Sequence, residues 1–112
     1  GYHIHYIMEK FAYFYAQLDD PNFPDANGKT ILENGLFPIG AELGNGSSHN
    51  TVNVFHTMTG GNGAFNVSNP LIDVNSTSVN LYNTWLQGLG VPRTMGRMSE
   101  YTPGAIDGLI RA

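Results

Sequence analysis

Hydrophobic side chains recur every three or four positions near the start of the chain, which predicts an amphipathic helix. We expect it from about Tyr6 to Asp19, with Glu9, Lys10 and Gln17 on its polar side. Prolines, a glycine and turn-forming polar residues in the Asp20 to Gly28 segment predict a surface loop after it. The apolar positions of the pattern are Ile4, Ile7, Met8, Phe11, Phe14, Tyr15 and Leu18.

The middle of the chain contains short apolar runs that predict strands. Leu36 to Glu42 lies between glycines, and Pro38 removes one ladder donor, so an edge strand or a bulge is expected there. Val52 to Thr59 predicts a second strand. Residues 64–67 and 71–74 predict two further short extended pieces.

A second helix has the clearest start and stop signals. Ser76, Thr77 or Ser78 can cap its first turn, and Gly90 can end it. The segment from Arg93 to Ala112 is predicted to be a loop that Pro103-Gly104 interrupts, with Ala105 to Ile110 packing back. The apolar stripe of this helix comprises Val79, Leu81, Tyr82, Trp85, Leu86 and Leu89.

Composition excludes several functional classes. The 112 residues carry a net charge of -4 with only 5 Lys plus Arg, which makes nucleic-acid binding improbable and leaves no polybasic strip for an anionic membrane. Charged residues make up only 12% of the chain, which favours burial in an assembly or a secreted setting. We therefore expect protein subunits as partners and a membrane only indirectly, through those partners.

Cysteine is absent, so the chain has no disulfide, no thiolate ligand and no cysteine nucleophile. The chain starts at Gly1 rather than at methionine, which leads us to expect a processed or truncated polypeptide. Its length predicts a single domain over residues 1–112 with one core.

Four polar side chains suggest a divalent metal site. Imidazole nitrogens and a carboxylate are standard ligands for zinc and other divalent ions, and His3, His5, Glu42 and His49 supply them. Residues two apart share a face only in an extended segment, so His3 and His5 can act together only if the helix starts after them. The site would lie at the end of a strand and hold Zn, Ca or Mg.

Structural interpretations compete with the chemical ones. A histidine near a terminus is usually an exposed side chain, and His56 on a predicted strand is more often a core residue than a ligand. Ser47 and Ser48 precede a histidine, but adjacency in sequence does not set the geometry of a catalytic triad. The turn from Gly60 to Gly63 lacks the lysine of a phosphate loop, which favours a simple tight turn.

Several of these segments occur in an order that resembles a known family. The pattern is similar to the C-terminal part of an uncharacterised family of secreted bacterial proteins related to the alkaline phosphatase and sulfatase superfamily. The similar segments are Gly1 to His5, the aromatic helix ending at Leu18-Asp19, Gly28 to Asn34, Glu42-Leu43-Gly44, His49, Gly60-Gly61 and Leu89 to Pro92.

The resemblance implies roles for three residues. His5 matches a histidine of an Asp-Thr-His segment, Glu42 matches the glutamate of a Glu-Phe-Gly segment, and His49 matches the histidine of an Asp-His pair. The chain departs from the pattern where His3 and Ser48 replace aspartates, which argues against a two-metal centre. The superfamily's nucleophile lies in an N-terminal half that these residues do not include.

The resemblance implies an α/β fold, specifically a partial three-layer alkaline-phosphatase-like sheet with two main helices and several short strands. It also implies a periplasmic or secreted location and the C-terminal portion of a larger hydrolase-like domain. We expect a noncatalytic accessory or structural subunit of a larger assembly. The alternatives are a fragment of a metal-dependent phosphoester or sulfate-ester hydrolase, and a simple metal- or ligand-binding module.

Overall fold

The computed structural model describes residues 2–66 and 72–111, which form a small mixed arrangement of helices and strands. By backbone contacts the chain divides into two compact units, Gly1–Gly60 and Gly61–Ala112. The elements are α1 (Tyr2–Leu18), α2 (Ile31–Asn34), β1 (Ile39–Gly40), β2 (His56–Thr57), α3 (Ser78–Gly88) and 3₁₀ turns at Ala26–Gly28, Met98–Glu100 and Asp107–Leu109.

The predicted mixture of helices and strands is confirmed in this coarse form. The sheet has two antiparallel strands of two residues each, with isolated bridges elsewhere, so a three-layer alkaline-phosphatase-like sheet is not confirmed in the described part of the chain. Pro38 lacks an amide donor, and the ladder of the predicted Leu36 to Glu42 strand shrinks to β1.

Helix α1 starts at Tyr2, earlier than the sequence pattern predicted. Neither proline nor glycine interrupts it, and the Asp19 amide still donates to the Tyr15 carbonyl at 2.9 Å. Pro21 disfavours helical backbone at Asp20 and ends the element. The predicted helix is therefore confirmed, but its first turn includes residues expected to be extended.

Helix α2 was not predicted, although its capping box is visible in the sequence. The Thr30 hydroxyl accepts from the Glu33 amide at 3.2 Å, and Glu33 Oε1 accepts from the Thr30 amide at 3.4 Å. Thr30 is buried and also donates to Asp19 Oδ1 at 2.8 Å, which fixes α2 at the end of α1. The Tyr15 hydroxyl donates to the Phe37 carbonyl at 2.9 Å and holds the chain after α2.

The segment from Leu36 to Gly60 folds back on itself as a two-stranded ribbon. Ile39 pairs with Thr57 and Gly40 with His56, while bridges join Leu36 to Gly60 and Asn45 to Asn50. Gly44 lies so close to the opposite chain that a Cβ there would overlap the Val52 carbonyl oxygen. This position therefore requires glycine.

Helix α3 has the cap residues that the sequence predicted. The Thr77 side chain accepts from the Asn80 amide at 3.1 Å at the start of the helix. At the other end, the Gly90 amide donates to Gln87 and the Val91 amide to Leu86, the paired bonds of a Schellman motif. Gly90 has a φ of 76°, which glycine adopts without the usual steric cost.

The apolar core described in the structure lies entirely within residues 61–111. Phe65, Trp85, Ile106 and Leu109 are buried, and the Phe65 ring packs against Gly88 of α3. Phe65 bridges to Ile110, which replaces the strand predicted over residues 64–67. Val67 and Leu71 lie outside the described residues, and residues 72–74 form no regular element.

The buried face of α3 also includes polar side chains that bind the loop following the helix. Asn83 Nδ2 donates to the Val79 and Met95 carbonyls at 2.9 Å, and Asn83 Oδ1 accepts from the Met95 amide at 2.8 Å. Asn80 Oδ1 accepts from the Thr102 amide at 2.7 Å. These bonds satisfy backbone groups that no strand pairs.

We expect Gly44→Ala to open the tip of the ribbon, because the new methyl group displaces the Val52 backbone. Overpacking of this kind costs about 1–3 kcal/mol. The protection of the Asn50 amide against hydrogen exchange should fall about tenfold or more. Gly46→Ala is the matched control, since a Cβ there meets nothing within 4 Å. Equal protection in the two variants would show that the close approach at Gly44 is not required.

Candidate functional site

The histidines predicted as metal ligands at the start of the chain lie on helix α1. Both His3 and His5 are exposed, and residues two apart on a helix diverge by about 200°. His5 Nε2 lies 2.9 Å from Glu9 Oε1, one helical turn along, and both side chains are exposed. The expectation of an extended segment at His3 and His5 is therefore wrong.

Glu42 and His49 lie on the ribbon, and both are exposed. His49 adopts a φ of 52° in the turn between Asn45 and Asn50. In the same turn, Asn45 Oδ1 accepts from the amides of Ser47 and Ser48. Across residues 2–66 and 72–111, no group of three or more His, Asp or Glu side chains is placed to hold a metal ion.

Metal ligation by His3, His5, Glu42 and His49 stays a prediction from the sequence. It requires that the His5→Ala/His49→Ala double variant lose a stoichiometric divalent ion that the unmodified protein contains. Elemental analysis of both proteins, purified without chelators, measures this directly. Unchanged metal content, or no metal in either protein, would contradict the hypothesis.

His56 has a different environment from the exposed histidines. It is half-buried, and its imidazole lies against Gly40 on the opposite strand, where a Cβ would overlap the ring. Burial removes water from the charged form and lowers the pKa of His56 below its ordinary value of 6.5. The imidazole is therefore a neutral packing element of the ribbon at neutral pH.

The lowered pKa of His56 predicts that acid weakens the ribbon. An unfolded histidine takes up a proton near pH 6.5, before the folded one does, so stability is complete above that pH. It declines as the pH falls below 6.5 towards the folded pKa. Protection of the Ala41 amide, which donates across the ribbon to Phe55, reports this loss.

The matched variants are His56→Gln, which should remove the pH dependence, and His49→Gln, which should retain it. A decline that persists in His56→Gln would assign the effect to another group.

Helix α1 presents an apolar strip to the outside of its unit. Ile4 is 60% exposed, Ile7 48% and Phe14 49%, although all three belong to the apolar pattern of the helix. Phe11, which is seven residues from Ile4 and shares its face, is half-buried, and so is Tyr15. No apolar side chain described in residues 3–60 is fully buried.

A second aromatic surface lies on another side of α1. Tyr6 and Tyr13 are seven residues apart and thus share a face, and the Lys10 ammonium group lies 5.0 Å from the centroid of the Tyr6 ring. A groove of about 560 Å³ begins beside Tyr13 at the end of the helix. Its lining residues are Tyr13, Ala16, Gln17, Asp20 and Phe23.

Another open cavity, of about 620 Å³, lies at the end of α3. Gln87, Arg93, Thr94 and Tyr101 bring polar groups to it. Asn83 also lines it, but its side-chain amide is occupied by the Val79 and Met95 backbone. That amide is therefore a structural group rather than a free contact for a ligand.

Comparisons with protein-family models, curated proteins and solved structures find no match to this chain. Among the described residues, no helix combines the length and apolar character needed to cross a membrane. The surfaces of α1 are the candidate functional site that follows from the geometry. The sequence signalled them through aromatic residues on two sides of the helix, but it did not indicate the groove.

Proposed function

We propose that the chain is a noncatalytic accessory or structural subunit of a larger periplasmic or extracellular assembly. In this proposal the strip formed by Ile4, Ile7 and Phe14 of α1 packs against a protein partner. The observation that carries this proposal is the exposure of these three side chains. They belong to the regular apolar pattern of α1, yet each remains about half exposed or more. Exposed apolar patches of this kind are typical of protein interfaces.

The energetics support a partner for residues 3–60. Burying a side chain of this size contributes about 1.5–3 kcal/mol, so the half-exposed strip retains roughly half of that for each member. Three such side chains supply on the order of 3 kcal/mol on docking, before the cost of association. Further contacts around the strip would have to provide the rest of the affinity.

The low charge of the surface supports the same function. Only 12% of the residues are charged, and α1 carries a single acidic and a single lysine residue. Interface centres are depleted of charge and enriched in aromatic residues, as this helix is. The hydrolase-like origin, with its alkaline-phosphatase-like layers, belongs to the same proposal and rests on the resemblance of the sequence alone.

Substituting the strip tests the proposal. We expect Ile4→Ser/Ile7→Ser to release the chain from its assembly, because two apolar contacts are lost at the interface. Native mass spectrometry of material purified from the source measures the chain in the complex and free. The matched control is Val52→Ser/Ile72→Ser, which makes the same kind of change at two exposed apolar side chains outside α1 and should leave the complex intact.

Circular dichroism should give the same helix content for both double variants. An unmodified chain that purifies as a folded monomer would contradict the proposal. The same holds for a complex that the Ile4→Ser/Ile7→Ser variant leaves unchanged.

A further inference from the structure

The groove at the end of α1 combines aromatic surface with negative charge. Tyr13 is 67% exposed and Phe23 71% exposed, so both rings are open to a ligand. The Asp20 carboxylate and the Gln17 side chain belong to the same lining. Aromatic faces attract cations through their quadrupole, and a carboxylate beside them adds a direct charge.

A tight turn returns Phe23 to the helix end. The Phe23 amide donates to the Asp20 carbonyl at 3.1 Å, and the Asn22 amide donates to Asp20 Oδ1 at 2.9 Å. Asp at the first position and Pro21 at the second are the residues that a type I turn prefers. The aromatic wall is therefore held by the same short segment that supplies the carboxylate.

The helix itself adds to the negative potential. The carboxyl end of an α-helix has the negative end of the macrodipole, and cations stabilise it. Helix α1 has no basic residue in its last turn. Asp19, Asp20 and Asp25 follow within a short stretch, which makes this end of the helix acidic.

We propose that this groove binds the guanidinium group of an arginine side chain presented by a partner protein. A guanidinium is planar, stacks on aromatic rings, is weakly hydrated and offers several donors to the oxygens of Asp20 and Gln17. An ammonium group lacks the flat face and holds its water more strongly. The protein source of the arginine rests on the function proposed above, whereas the binding itself does not.

The first experiment titrates N-acetyl-arginine amide into the ¹⁵N-labelled full chain. We expect saturable shifts of the Ala16, Gln17 and Asp20 amide signals, and weaker binding of N-acetyl-lysine amide. N-acetyl-citrulline amide, which has nearly the same shape without the charge, should not bind. Equal shifts with the citrulline probe, or no shifts with the arginine probe, would overturn the proposal.

The second experiment repeats the titration with variants of the groove. Asp20→Asn retains an oxygen for the Asn22 amide but removes the charge, and Tyr13→Leu removes one ring. Each should weaken arginine binding about 2- to 5-fold. Asp73→Asn removes a charge and Phe55→Leu removes an exposed ring outside the groove, and both should leave arginine binding unchanged. Equal weakening by these controls would assign the effect to overall charge or aromatic content.

The two proposals fail in different ways. If the Ile4→Ser/Ile7→Ser variant stays in the assembly and the groove still binds the arginine probe, the strip is refuted as an interface and the groove proposal stands. Loss of the assembly with no arginine binding would refute the groove and keep the strip. Tighter binding of the lysine probe than of the arginine probe would overturn the assignment to a guanidinium.

Discussion

The interaction on which this structure most depends is the hydrogen bond from a polar side chain to irregular backbone. Outside the helices, few backbone groups are paired in a ladder, and buried groups need partners. Asn83 of α3 binds three backbone groups, and Asn80 of the same helix accepts from the Thr102 amide. Tyr15 does the same for Phe37. Amides and a hydroxyl on buried or half-buried side chains thus replace the sheet that would otherwise hold these segments.

The two units differ in whether an apolar core accompanies these hydrogen bonds. In residues 61–111, polar anchoring is combined with an apolar core around Phe65 and Trp85. In residues 3–60, the only buried side chain described is the polar Thr30, which leaves the apolar face of α1 partly in water. A chain segment of that size gains little from burial by itself. The lack of buried apolar side chains limits the stability of this unit and also leaves an apolar surface that a partner protein can bind.

Helix α3 was predictable because its signals are local: Thr77 caps it, and Gly90 ends it in the sequence as in the structure. The capping box of Thr30 and Glu33 was equally local, but it was missed because α2 is too short to show a hydrophobic period. The strands were predicted too long, since an apolar run near Pro38 does not guarantee a ladder. Strand pairing depends on contacts between distant residues, which a single segment does not encode.

The candidate site shows the same limit. The predicted metal site assumed that His3 and His5 lie in an extended segment. Because α1 starts at Tyr2, the two histidines instead lie on different faces of a helix. The aromatic character of α1 was readable from the sequence, so a partner surface was expected. The groove was not, because it depends on the turn that brings Phe23 back beside Tyr13.

The hydroxyl of Thr77 takes part in two bonds at once. It accepts from the Asn80 amide within α3 and donates to the Glu100 carbonyl at 3.2 Å, 23 residues further along the chain. A single rotor orientation serves both partners, so the first turn of the helix and the distant 3₁₀ turn become ordered together. The Glu100 carbonyl is thereby held by a donor on the first turn of α3. One small side chain thereby couples the opening of the first turn of α3 to the release of the 3₁₀ turn at Met98–Glu100.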